Sequence, residues 1–402
     1  MRVSNFLAPF IARSSAIAVV LAFGVSGAHA AGIVGSGSAA SCTDAALGAA
    51  LAGGGSVTFN CGAAPATISV LSTKVISANT TINGENLITL SGGGTVQVFQ
   101  VDSPAGLTLQ NLAITNGRAG VGGGGAIVST GGIDVVNVSF VANSTTGSGG
   151  AIAFDSPIGA TLTINGSTFS GNSASGGSFG GGALLIRRGS TATITNSTFF
   201  GNSHSVGPGG AIYVDNTRLD LFSVTMAGNT AVGEGGGLYE NTDNSSSQNS
   251  IFANNTPDNC GTSGYAFTEQ SNYNITSDTT CDFTNGVGGT GNLVETNPLL
   301  GPLANNGGFT QTMALSAGSP ALNAGNPASP GSGGTACPAT DQIGTARTQG
   351  GRCDIGAFEG IAAASPVTVS VPTLTQWALI GLAGLLGLFG MGVMRRQSGV
   401  GQ

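Results

Sequence analysis

The stretch Gly149-Gly150-Ala151-Ile152-Ala153-Phe154-Asp155, followed by Phe169-Ser170-Gly171-Asn172, decides the fold. Both phrases recur. Gly-Gly-Ala-Ile or a near variant stands at 124–127, 149–152, 181–184 and 209–212, and in degraded form at 235–238. The second phrase is an apolar residue followed three positions later by Asn: Phe140/Asn143, Phe169/Asn172, Phe199/Asn202, Met226/Asn229 and Ile251/Asn254. The third residue of the first phrase falls at 126, 151, 183, 211 and 237, so the steps are 25, 32, 28 and 26. Fixed phrases with a variable step argue against a helical repeat. They suit stacked coils in which one turn grows or shrinks.

Between the phrases run alternating segments such as Thr161-Leu162-Thr163-Ile164 and Thr191-Ala192-Thr193-Ile194-Thr195, ended by Gly or Asn. That is strand and turn chemistry. The expected fold is all-β: a right-handed, single-stranded parallel β-helix over residues 31–296, with coils stacked about 4.8 Å apart. The recurrent Asn suit left-handed turn positions and side-chain amide ladders between coils. The paired phrases resemble the Gly-Gly-Ala-Ile and Phe-x-x-Asn repeats of the polymorphic outer-membrane proteins. That resemblance covers roughly a third of the chain and implies a surface β-helix used in adhesion. Those proteins carry a C-terminal translocating barrel, and no such barrel is legible here.

The first phrase carries an outward column. Ile152 and Phe154 alternate with Ala153 and Asp155, so the latter pair faces out. The same offset gives Arg187 and Asp215 in the next two coils, while Tyr213 and Tyr239 take the outward position just before. Asp155, Arg187 and Asp215 thus form either a solvated ladder of opposite charges or, with the tyrosines, a glycan groove whose carboxylates stand two coils, about 10 Å, apart. Alternating charge on β faces is common, which favours the ladder.

The 402 residues include 70 Gly without a three-residue period, and only 7% are charged. This composition is neither collagen-like nor disordered. Residues 1–30 have the form of a secretory signal peptide: Arg2 and Arg13, an apolar run at 16–25, and Ala28-His29-Ala30 as the cleavage site. Removing Arg2, Arg13, Arg395 and Arg396 leaves 7 of 11 basic residues against 18 acidic ones, a net charge of −11. So acidic a chain is poorly suited to nucleic acid. Cys42, Cys61, Cys260, Cys281, Cys337 and Cys353 are an even set in an exported chain, which suggests disulfides. Their pairing is open, the nearest-neighbour scheme closing small loops outside the repeats. No Cys-x-x-Cys spacing exists and His204 is the one histidine beyond the leader, so no metal or other cofactor is expected.

Residues 41–52 read as a short amphipathic helix, with Leu47 and Leu51 four apart and Ser41 or Thr43 as cap; such a helix would plug the open end of the coil. Segments 57–59, 66–70, 80–82, 87–90, 95–101 and 107–114 read as strands of the first, less regular coils.

Beyond 255 the repeat decays. Asn297-Pro298-Leu299-Leu300-Gly301-Pro302-Leu303, Gly318-Ser319-Pro320-Ala321-Leu322-Asn323, Asp341-Gln342-Ile343-Gly344 and Asp354-Ile355-Gly356-Ala357-Phe358-Glu359 follow in order. They closely resemble the choice-of-anchor Q domain, a module at the end of bacterial surface β-helices. Residues 297–360 are therefore expected to form a loop-rich C-terminal cap over the last coil, with Arg347 pinned by Asp341, Asp354 or Glu359 in a structural ion pair. Residues 361–370 are a small-residue linker.

The chain then runs through Val371-Pro372-Thr373-Leu374-Thr375-Gln376-Trp377, an apolar run at 378–394, and Arg395-Arg396. Trp377 and the arginines bracket the run as a transmembrane helix would be bracketed. The order of motif, span and basic end over 371–397 resembles the IPTL-type C-terminal sorting signal, related to the PEP-type signals handled by exosortases. It implies that a membrane sorting enzyme recognises Pro372, Thr373, Leu374 and Trp377 and removes the tail. Val371 stands where that family has isoleucine.

The expectation is an exported surface protein of a Gram-negative-type bacterium, adhesin-like or matrix-associated, with surface glycans or a neighbouring cell as partners and no catalytic residues. The alternative is a polysaccharide lyase or glycoside hydrolase. The repeats contain no Asp-x-Asp pair, His cluster or nucleophile triad to support it.

Overall fold

A computed structural model describes residues 32–360 apart from 157–158, 189–190, 242–244, 264–266, 268–270, 284–288 and 348–350, together with residues 382, 383 and 386. The alternating segments are strands, and each pairs in parallel with the same segment of the next coil. The chain winds as a parallel β-solenoid with three sheets. The long sheet has ten rungs in sequence, from Gly32–Val34 to Ile275–Thr276, which makes about nine turns. The short sheet stacks Lys74–Ile76, Phe99–Val101, Ile127–Ser129, Ile152–Asp155, Leu184–Arg187, Ile212–Asp215, Leu238–Glu240 and Cys260–Thr262. Two-residue strands from Arg118–Ala119 to Thr230–Ala231 form the third side.

The two sequence phrases make the two inner seams. The first Gly of each phrase bends the chain in the left-handed region, as at Gly149 with φ 72°. A Cβ on the second, Gly150, would collide with the Gly182 carbonyl of the next coil. Only glycine satisfies both demands. Inside, Phe140, Phe169 and Phe199 stack with centroids 4.6 and 4.7 Å apart and planes within 9°. Three residues beyond the inward apolar residue, Asn143, Asn172, Asn202, Asn229 and Asn255 form a buried amide ladder that ends on Asn259, with Nδ2 to Oδ1 distances of 2.9–3.0 Å. Each Nδ2 of Asn172, Asn202 and Asn229 also donates to the carbonyl of a phenylalanine one rung back. Every side-chain N–H of the ladder has an acceptor and every Oδ1 at least one donor, so burial strands no polar atom.

The fifth copy of the second phrase corrects the sequence-based register. Met226 pairs with Phe252, not Ile251, and the ladder continues through Asn255, not Asn254. Ile251 and Phe252 are both apolar, and both have Asn three residues on, so spacing alone does not choose between them. Asn254 instead takes the left-handed corner, φ 55°, filled by Gly171, Gly201 and Gly228 in earlier coils. The two roles expected of Asn therefore belong to separate columns.

At the N-terminal end the helix Asp44–Leu51 covers the core with Leu47 and Leu51, and Thr43 caps it by accepting from Ala46 N at 3.2 Å. Two strands were not legible, Gly32–Val34 and Lys74–Ile76. The second is held by the only lysine, whose Nζ lies 2.5 Å from Asp44 Oδ1. At the other end the core is closed by Phe252, Phe267 and Phe283 with the Cys260–Cys281 disulfide.

Residues 297–360 meet the last rung through Ala321 and Ile355, which pack on Ile275. They fold back along the flank of the long sheet, where it bends between strand pairs. Gln342 bonds Thr168 and Thr198, Ala357 N donates to Thr225 Oγ1, and Asn326 N donates to Asn249 Oδ1. Ile355 and Ala321 pack on Ile251 and Ile275. This flap reaches five successive rungs, from that of Thr168 to that of Ile275, and the outward Thr and Asn of the bend give it hydrogen bonds on the first four. All three cysteine pairs are nearest neighbours: Cys42–Cys61, Cys260–Cys281 and Cys337–Cys353.

Candidate functional site

The outward column of the first phrase is assembled as the alternation requires. Asp155, Arg187 and Asp215 are register partners on successive rungs. Arg187 reaches both carboxylates, 3.3 Å to each. Its guanidinium carbon lies 3.5 Å over the Phe179 ring. Arg188 holds the other oxygen of Asp155 at 2.7 Å, and Asn241 donates to Asp215 at 2.9 Å. Opposite charges on adjacent rungs attract, so this is a charge ladder whose central cation is fully engaged.

The tyrosines sit differently from the expected open aromatic face. Tyr213 and Tyr239 stack at 5.3 Å, but Tyr213 is only 6% exposed. Phe179 meets it edge-on at 5.8 Å and, with Leu185, closes it in. Burial, reinforced by the charge of Asp215, pushes the Tyr213 hydroxyl up to about 12. Its ring faces protein rather than solvent. Phe179 comes from the turn at 175–183: Asn172 stands 11 residues before Ala183, against 8 for Asn143 before Ala151, and this lengthening supplies part of the step of 32 from 151 to 183. That step was the available signal; an insertion shows where a loop grows but not which way its side chains turn.

Around this ladder lies a cavity of about 460 Å³ lined by Val128, Ser148, Asp155, Phe179, Leu185, Arg187 and Arg188, among others. Beside it a second cavity of about 580 Å³ is lined by Ser72, Thr95, Gln97, Gln100 and Arg118. Arg118, Ser148 and Arg188 are not legible in the sequence as site residues. None belongs to a repeated phrase, so no periodicity points to them.

The second cluster lies between the flap and the solenoid. Arg347 is fully buried in the flap, where it bonds Glu359 at 3.3 Å, Asn196 of the solenoid at 3.0 Å and the Gly356 carbonyl at 2.8 Å. Burial pushes the Glu359 carboxyl up to about 7, against the opposing pull of Arg347 and the Asp354 amide. Asp341 accepts from the backbone of Ile343, Thr345 and Glu359. These groups tie loops together.

Among the described residues no group of three or more His, Cys, Asp or Glu is placed to hold a metal ion. Nor, among them, is any helix long and apolar enough to cross a membrane. The leader, the sorting residues Val371, Pro372, Thr373, Leu374, Trp377, Arg395 and Arg396, and the apolar run save for residues 382, 383 and 386 lie outside the described residues.

Residues 369–396 match the IPTL-CTERM motif, a C-terminal sorting signal. No curated protein and no solved structure matches the chain. The chain is thus a β-solenoid with a sorting motif behind it, which implies export and C-terminal processing at the cell surface.

Proposed function

We propose that the chain is a non-catalytic binding protein, displayed at the surface or in the matrix of a Gram-negative-type bacterium and released from its tail by a membrane sorting enzyme. The leader 1–30 directs export, the apolar run 378–394 is a temporary span, and Pro372, Thr373, Leu374 and Trp377 are the recognition residues. The observation that carries this is the match at residues 369–396, which begins nine residues beyond the last described flap residue, Gly360. The adhesin-like role draws on the resemblance of the repeats and of residues 297–360 to surface β-helices. Engagement of both Asp155 and Asp215 by Arg187 speaks against their use as an acid and base pair.

The test follows the tail. A full chain with a C-terminal tag, made in its native host, is expected to lose the tag while the solenoid persists, and Pro372→Ala or Trp377→Ala is expected to retain it. Equal retention in native and variant chains would leave a permanent anchor in place of a sorting signal.

A further inference from the structure

The two cavities beside the charge ladder share Gly122 and Val128, so they form one groove along the outside of the short sheet. Its floor is a single register column, Gln100, Val128, Ala153 and Leu185, one residue per coil. Three steps of ~4.8 Å give a floor of roughly 14 Å, parallel to the solenoid axis. One wall is glycine-rich turn, at Gly120, Gly122, Gly123 and Gly177, interrupted by the side chains of Val121 and Ser178. The other is the edge carrying Thr130, Asp155 and Arg187. Phe179 closes one end.

The charge of this groove opposes that of the molecule. Three of the seven basic residues left after leader and tail, Arg118, Arg187 and Arg188, line it, and Asp155 is its one acid. Arg187 is held by Asp155 and Asp215, and Arg188 shares Asp155 while 61% of its side chain stays exposed. Arg118 is exposed and has no ion-pair partner among the described residues. Ser148, 5% exposed, lines the groove with a hydroxyl that has no hydrogen-bond partner among them.

A narrow, straight groove suits a linear polymer. Its cations call for an anionic one. The apolar floor and Phe179 suit the C–H faces of sugar rings, and Ser, Thr and Gln around the rim suit their hydroxyls. An acidic peptide fits less well, because the backbone groups of the short-sheet strands are spent on the coils above and below, leaving no edge to pair with. Nucleic acid would need more cations than one free arginine.

We propose that this groove binds a linear acidic polysaccharide, with the Arg118 guanidinium on one carboxylate and Arg188 on another. It rests on the binding role proposed above and names the ligand class. The full chain in neutral detergent is tested by affinity electrophoresis through gels containing polygalacturonate, dextran or neither. Polygalacturonate is expected to retard it, and more weakly as salt rises. Arg118→Ala should weaken binding about tenfold, the effect of one charge-assisted hydrogen bond. Arg218→Ala, which removes a guanidinium paired with Asp220 on the long sheet, should bind as the native chain does. All are compared at matched thermal midpoints. Equal retardation of the native chain and of Arg118→Ala and Arg188→Ala, or stronger retardation by dextran, overturns the acidic-glycan groove but leaves a binding role standing. Cleavage of the polysaccharide would overturn the binding role itself.

Discussion

Asn172 shows how one side chain fixes a coil. It is fully buried, donates to Asn202 Oδ1 and the Phe140 carbonyl, and accepts from the amide and side chain of Asn143. Asn172→Ala would strand two buried donors on Asn143, its backbone amide and one side-chain N–H, while Asn202 Oδ1 keeps the Asn172 amide. At about 1–3 kcal/mol for each unsatisfied group, the expected loss is about 2–6 kcal/mol, read as a lower urea midpoint at unchanged slope. Asn254→Gly is the contrast, because its left-handed corner costs glycine nothing, and its midpoint should stay within about 0.5 kcal/mol. Were Asn254→Gly as damaging as Asn172→Ala, the ladder would run through 254 after all. At this scale the sequence disclosed residue types and spacing. It did not disclose register where two candidates share the spacing, since Ile251 and Phe252 are both apolar and either can follow Met226 into the core.

The flap is the element whose place was least legible. Its order of phrases pointed to a separate module, and Arg347 to an internal ion pair. Its docking side depends on Thr168, Thr198, Thr225 and Asn249, which read in sequence as ordinary outward residues. Outward Thr is common on any sheet, so only the bend that aligns them makes a berth. The flap should be pH-sensitive. Glu359 titrates near 7 when folded and near 4.5 when unfolded, so between those values the folded state holds a proton the unfolded state has lost. Stability contributed by this group is therefore present below pH 4.5 and falls as pH rises through 7, by about 3 kcal/mol in all. Asp354, also pushed up by burial, acts in the same sense. Asp44 and Asp278 are lowered from 3.8 and so stay ionised throughout this window. Proteolysis of 297–360 should thus be faster at pH 8 than at pH 5.5, relative to a protease control, and Glu359→Gln should flatten the difference. An equal ratio in native and variant chains would place the sensitivity elsewhere.

Over the whole molecule, a solenoid is held rung by rung, and its ends have half the neighbours of its middle. The disulfides follow that imbalance. Cys42–Cys61 lies at the first rungs, Cys260–Cys281 at the last and Cys337–Cys353 in the flap, while the Phe stack and Asn ladder hold the centre. The leader-like start and an even cysteine count made this division partly legible, but not that the last pair of coil cysteines helps seal the aromatic plug. Replacing Cys260 and Cys281 by serine should remove about 2–4 kcal/mol locally. The loss should not spread evenly. The flap still grips the long sheet through Ile251 and Ile275, so opening should show first on the other face. Amide exchange in Cys260–Thr262 and then Leu238–Glu240 should accelerate, while Phe140, Phe169 and Phe199 keep their protection. A uniform fall in protection across all rungs would mean that the chain opens as one unit, and that its ends are no weaker than its centre.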